Sequence, residues 1–139
     1  MSTIRNFIIV DDDPWSNKIC AIIIKQTLAE AQIHSFLIPE EGLAFIENEF
    51  VKNIQPAILF LDINMPSING WQFLERFEKF GDDVKSKITI YMLSSSIDDK
   101  DIDKAKGNRL VKDFISKPML NDTLLMVANN NITGNLHDN

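Results

Sequence analysis

Ala57-Ile58-Leu59-Phe60-Leu61-Asp62-Ile63-Asn64-Met65-Pro66 decides the architecture: an unbroken apolar run, then a carboxylate, then a loop closed by proline. A run that is apolar throughout, rather than alternating, suits a strand covered on both faces, as in a parallel sheet flanked by helices. Four further short runs, Asn6 to Val10, Ile33 to Ile38, Ile88 to Leu93 and Val111 to Ile115, are rich in β-branched and aromatic residues and bounded by polar or turn residues, and with Ala57 to Leu61 they make five buried strands. Between them apolar residues recur at helical spacing: Ile19, Ile23 and Leu28, then Leu43, Ile46 and Phe50, then Leu74, Phe77 and Phe80. Asp98 to Lys106 is acidic at its start and basic at its end, and Gly107 can stop it. Pro118 ends the fifth strand, and a last helix is expected from about Asn121 to Val127. Right-handed crossovers then give a three-layer α/β sandwich, a five-stranded parallel sheet with five helices. Residues 1–127 form the expected domain, and the asparagine-rich residues 128–139 a flexible tail.

Composition narrows the function. The chain has 139 residues, 45% of them hydrophobic and 24% charged, which is ordinary for one globular domain. Fourteen basic against twenty acidic side chains give a net charge of −6, the wrong sign for affinity built on phosphate neutralisation, so direct nucleic-acid binding is not expected. Cys20 is the only cysteine, which rules out an intrachain disulfide and a cysteine-based zinc site. No apolar run reaches the roughly 18 residues of a membrane span, and the N-terminus does not look like a signal peptide, so a cytoplasmic protein without a membrane partner is expected. Trp15 and Trp71 read as packing residues on the first and third helices, and His34 and His137 have no partners at metal-ligand spacing.

Ligands of open parallel sheets bind beyond the carboxyl ends of the strands. Here strand one ends in Asp11-Asp12-Asp13, strand three in Asp62, strand four in Ser94-Ser95-Ser96 and strand five in Lys117-Pro118. No glycine-rich loop follows strand one, so nucleotide-binding readings lack their motif. In the strand order 2-1-3-4-5, strands one and three are neighbours and their carboxylates converge. A like-charge pair at ~4 Å costs on the order of 4 kcal/mol at an effective dielectric near 20, so such a cluster needs a cation or raised pKa values. All-oxygen donors favour Mg²⁺, with Mn²⁺ possible, over zinc. Asp62 is then the candidate nucleophile toward a phosphoryl group, with Lys117 to offset charge on the phosphoryl oxygens. Each feature has a plainer reading, since Asp13-Pro14 serves as a helix cap and Lys117-Pro118 as a turn. Their joint placement at four strand ends is what favours a site.

The sequence resembles the receiver domain of bacterial response regulators, the phospho-accepting half of two-component signalling, from about Asn6 to Val127. Phe7-Ile8-Ile9-Val10-Asp11-Asp12-Asp13-Pro14 is similar to that family's first strand and acidic pair, and Leu59 to Pro66 with Asn69-Gly70 to its phosphorylation motif. Tyr91-Met92-Leu93-Ser94 and Phe114-Ile115-Ser116-Lys117-Pro118 match its hydroxyl, switch aromatic and lysine, the last before an expected cis proline. The resemblance implies a flavodoxin-like receiver fold and Asp62 as acceptor. Asp12, Asp62 and the backbone carbonyl of Asn64 would bind Mg²⁺, with Asp11 acting through water. Lys117 and Ser94 would contact the phosphoryl group, and Ser94 and Phe114 would form the switch. Serine replaces the commoner threonine at 94, Phe114 lacks a hydroxyl, and the segment from Gly107 to Asp113 is longer than usual. Asn64 and Ser96 stand where the family tunes the lifetime of its phosphorylated state.

The implied partners are a histidine kinase or histidine phosphotransfer protein and a downstream protein target. The chain would act as a stand-alone regulator, because only 22 residues follow Lys117. It would be a monomer, or a weak homodimer through the face of the fourth helix, fifth strand and fifth helix. It would be no enzyme beyond catalysing its own phosphorylation and dephosphorylation. Two alternatives stand beside this: a receiver-like interaction module that works without phosphorylation, and a haloacid-dehalogenase-like phosphohydrolase with Asp11 as nucleophile and Asp13 as acid.

Overall fold

The computed structural model describes residues 2–53, 55–95 and 98–133. Five parallel strands, β1 (Asn6–Val10), β2 (Gln32–Phe36), β3 (Ala57–Asp62), β4 (Ile88–Ser94) and β5 (Val111–Ser116), form one sheet in the spatial order β2-β1-β3-β4-β5. That is the expected 2-1-3-4-5 order. Helices α1 (Pro14–Thr27) and α6 (Asn121–Asn130) cover one face, and α2 (Pro39–Asn48), α3 (Gly70–Phe77), α4 (Asp82–Lys87) and α5 (Asp99–Lys106) belong to the other side.

The central strands show why alternation is missing from the sequence. Ile8, Val10, Leu59, Leu61, Ile90 and Met92 face the core under α2 and α3, while Phe7, Ile9, Ile58, Phe60, Tyr91 and Leu93 face the core under α1 and α6. Both faces are dry, so every position is apolar. Phe7, Phe60 and Tyr91 line up across three strands with ring centroids 6.1 and 6.0 Å apart.

Departures from expectation have local causes. The sheet's edge strands are not buried on both faces: β2 and β5 keep several residues exposed because each has only one neighbour. β2 also ends at Phe36, leaving Leu37 and Ile38 exposed beyond it. Among the described residues, six helices replace the expected five. α4 holds one buried apolar residue, Val84, between an acidic first turn and a basic last turn, so it carries no apolar periodicity to read. Phe80 lies past the end of α3 and packs edge-on against Phe77 at 5.6 Å, and Phe50 begins a 3-10 turn after α2. The long connection before β5 is absorbed twice, by a turn in which Asn108 accepts hydrogen bonds from Leu110 and Val111, and by a β-bulge at Lys112.

The last helix continues past Val127 to Asn130, with Ala128 buried, and the Asn131 amide then donates to the Tyr91 hydroxyl at 2.8 Å. Ile132–Thr133 pairs antiparallel with Ser2–Thr3. The expected tail from Ala128 is therefore structured as far as residue 133, and residues 134–139, His137 among them, lie outside the described residues. Trp71 packs against the core as expected, but Trp15 is 73% exposed, because it follows Asp13 and Pro14 at the very start of α1.

Candidate functional site

The site is built at the carboxyl end of the three central strands. β1 ends on Val10, so the next residue, Asp11, is carried just past the sheet, where only 1% of its surface is exposed. Asp62 is the last residue of β3 and pairs in register with Leu93 of β4, and Ser94, fully buried, is one residue further on. Lys117 follows β5, and its backbone amide donates to the Ser94 carbonyl at 2.8 Å. The Lys117-Pro118 peptide is cis.

These backbone positions bring the side chains together. The Lys117 ammonium lies 2.8 Å from Asp11 Oδ2 and 3.2 Å from Asp62 Oδ1. Asp11, Asp12 and Asp62 each place a carboxylate oxygen within 4.8 Å of the other two. Asp11 is fully engaged: its Oδ1 accepts from the Asp13 amide at 3.0 Å, and its Oδ2 from the Ser16 hydroxyl at 2.6 Å as well as from Lys117. Asp12 is half-buried and has no hydrogen-bond or ion-pair partner among the described residues. Asp13 caps α1, accepting from the Trp15 amide at 3.0 Å, as its place before Pro14 predicts.

Electrostatics follow from this crowding. Burial, and next the Asp11 charge, push the Asp62 carboxyl up from 3.8 to about 6, against the lowering effect of Lys117. Burial alone would lower the Lys117 ammonium, but its hydrogen bond to Asp11 and the charges of Asp11 and Asp62 leave it raised. Two negative charges more than match one ammonium. The surplus, the all-oxygen donors and the unpartnered Asp12 fit a hard divalent cation such as Mg²⁺. Asn64 is exposed on the loop two residues past Asp62, Phe114 is half-buried against the core under α2 and α3, and Ser96 lies outside the described residues.

Sequence reasoning missed two residues here. The buried Asn17 amide donates to the Asp11 and Phe36 carbonyls, each at 3.1 Å, and so ties the ends of β1 and β2 together. Ser16 holds Asp11 through the 2.6 Å hydrogen bond to Oδ2. A capped helix starting at Pro14 puts both in its first turn, beside the strand end it follows, and that was the available signal. Gly70 carries a separate constraint, since a Cβ there would lie 2.8 Å from the Asp62 carbonyl and 2.8 Å from the Met92 terminal methyl. The methyl can move but the strand carbonyl cannot without displacing Asp62. Gly70→Ala is expected to destabilise the fold by about 1 to 3 kcal/mol, in the range of overpacking, as read by urea unfolding. An unchanged unfolding midpoint would show that the gap is wider than it looks.

Comparison with known proteins places the chain in a family. The family model for the response regulator receiver domain matches residues 7–129. Protein PilH of Pseudomonas aeruginosa is 30% identical over 132 residues, covering 91% of this chain and 97% of PilH. A two-component response regulator of Cytophaga hutchinsonii has a similar crystal structure, with a TM-score of 0.84 and 30% identity over 92% of this chain and 96% of that one. A protein-glutamate methylesterase/protein-glutamine glutaminase of Agrobacterium fabrum is 29% identical over 76 residues, and the match spans 55% of this chain but 20% of that longer protein. Fold, strand order, acidic cluster and sequence likeness agree, and the chain belongs to the response regulator receiver domain family of two-component signalling.

Proposed function

We propose that Asp62 accepts a phosphoryl group from a histidine kinase or histidine phosphotransfer protein, in a Mg²⁺-dependent reaction, and that the modified chain signals by altered binding of a downstream protein. One observation carries the reading: a single ammonium, that of Lys117, reaches both Asp11 and Asp62 at the mouth of three gathered carboxylates. Asp12, Asp62 and the Asn64 carbonyl would hold the ion, with Asp11 acting through water. The ion would supply charge neutralisation on the phosphoryl oxygens.

The chain's own residues do the rest. An Asp62 carboxylate oxygen bonds to phosphorus as the donor's P–N bond breaks, and the imidazole nitrogen keeps the electron pair. Lys117 turns from the carboxylates to a phosphoryl oxygen, and the Ser94 hydroxyl donates to another. Movement of Ser94 frees space for Phe114 to turn inward, which changes the face formed by α5, β5 and α6. Partners that prefer the altered face shift the population toward it.

A phosphohydrolase using Asp11 finds no support, since both Asp11 oxygens are held by protein donors and Asp13 caps a helix. Incubation with Mg²⁺ and acetyl phosphate is expected to add the mass of one phosphoryl group, and Asp62→Asn to abolish the gain. A gain that persists in the variant would identify another acceptor.

A further inference from the structure

Ser16 sits in the first turn of α1 and donates its hydroxyl to Asp11 Oδ2 at 2.6 Å, the same oxygen that Lys117 holds at 2.8 Å. In the reaction proposed above, on which this rests, Lys117 must leave that oxygen to reach the phosphoryl group. Asp11 is 1% exposed, so bulk water has little access to it, and apart from a metal-bound water its donors must come from the protein itself. A buried carboxylate that loses its donor bears the desolvation penalty of a bare charge.

We infer that Ser16 is a positioning residue: its hydroxyl keeps Asp11 Oδ2 satisfied while Lys117 moves to the phosphoryl group, and so makes that movement possible at low cost. The Asp13 amide performs the same service at the other oxygen, Oδ1. Before the reaction Lys117 compensates Asp11, and the serine hydroxyl adds little. During transfer Ser16 is the side-chain donor that stays on this oxygen. An interaction worth more at the transition state than in the ground state raises rate rather than affinity.

The expected signature is a split between rate and metal binding. Ser16→Ala should slow phosphorylation by acetyl phosphate roughly ten- to a hundred-fold, the worth of one hydrogen bond to a charged acceptor, while Mg²⁺ affinity followed by Trp15 fluorescence changes by less than about three-fold. Ser16→Thr keeps the hydroxyl on a half-buried position and should restore most of the rate. In metal-free protein, without any phosphodonor, Lys117→Ala should shift the unfolding equilibrium about ten-fold further in the Ser16→Ala background than in the native one, because Asp11 then loses both side-chain donors.

An unchanged rate in Ser16→Ala, or additive effects in the unfolding cycle, would overturn the inference. If the native protein takes up no phosphoryl group at all, the proposed function fails instead. The metal-free cycle still reports whether Ser16 and Lys117 act on one oxygen.

Discussion

Replacing Lys117 with alanine is expected to lower the stability of the metal-free protein by about 3 kcal/mol at pH 7 while leaving Mg²⁺ binding in place. Breaking a buried ion pair by removing one partner typically costs about 3 to 5 kcal/mol, because the other charge stays behind uncompensated. Here two carboxylates stay behind, Asp11 at 1% and Asp62 at 5% exposure. The lower end of the range applies because the cluster has a way to relax: burial and the Asp11 charge push the Asp62 carboxyl up to about 6, and loss of Lys117 pushes it further, so Asp62 takes up a proton more readily. Protonation of Asp62 in the variant then begins above that value, so the deficit should shrink as pH falls from 7 toward about 6 and level off below it. Added Mg²⁺ should recover much of it, since the ion binds the folded carboxylates and not the unfolded chain. On the proposed function, the partner response should be lost even in the metal-loaded variant, because the ammonium proposed to contact the phosphoryl group is missing. Urea unfolding with and without Mg²⁺ reads the first effects. A variant as stable as the native protein without metal, or one that no longer binds Mg²⁺, would mean that Lys117 does not serve as the counter-charge of the cluster.

The strand ends were legible because each central strand is apolar on both faces and stops abruptly at a charged or hydroxyl residue. Asp62 follows an unbroken apolar run, and no alternative placement of β3 leaves it anywhere but at the mouth of the sheet. Asp13-Pro14 and Asp98 with Gly107 mark helix ends through chemistry that acts within a few residues, and both behave as expected. Legibility failed where the signal was neither local nor periodic. α4 hides because Val84 is its one buried residue. The edge strands β2 and β5 lack the unbroken apolar character of the central three, and the polar pairs that interrupt them, His34-Ser35 and Lys112-Asp113, are left exposed.

Ser16 and Asn17 show the same limit at the site itself. Each is an ordinary residue for the first turn of a helix, and although the Asp13-Pro14 cap places that turn beside the strand end, it does not show which of its side chains reach Asp11. Their roles depend on where β1 stops, on the Asp13-Pro14 cap that starts α1, and on the packing of Cys20 and Ile24 that holds the helix against the sheet. Trp15 departs from expectation for the reverse reason. Its size suggests core, but its position beside the helix cap turns it to solvent at 73% exposure.

Asp62→Asn should stabilise the metal-free fold at neutral pH, by on the order of 3 kcal/mol, even as it removes the proposed phosphoryl acceptor. A carboxyl raised from 3.8 to about 6 on folding is ionised at pH 7 against the preference of its surroundings. Each tenfold change in proton affinity is worth roughly 1.4 kcal/mol, so a rise of this size corresponds to about 3 kcal/mol. The sign follows from proton binding. Between about pH 4 and 6 the folded protein holds the Asp62 proton more tightly than the unfolded chain, so native stability falls as pH rises through that window and levels off above it. Asparagine never ionises, so the variant lacks this slope, and its advantage should vanish near pH 4. The variant does lose an ion pair with Lys117, but the net upward displacement of Asp62 already includes that attraction, and Lys117 keeps Asp11 at 2.8 Å. Mg²⁺ should reverse the ranking, because it rewards the ionised native cluster more than a cluster one carboxylate short. Unfolding curves in chelator at pH 7 and pH 4.5, and again with Mg²⁺, test each part. A variant less stable than the native protein at pH 7 without metal would mean that Lys117 attracts Asp62 more strongly than burial and Asp11 oppose it, and would require the charge balance of the site to be redrawn.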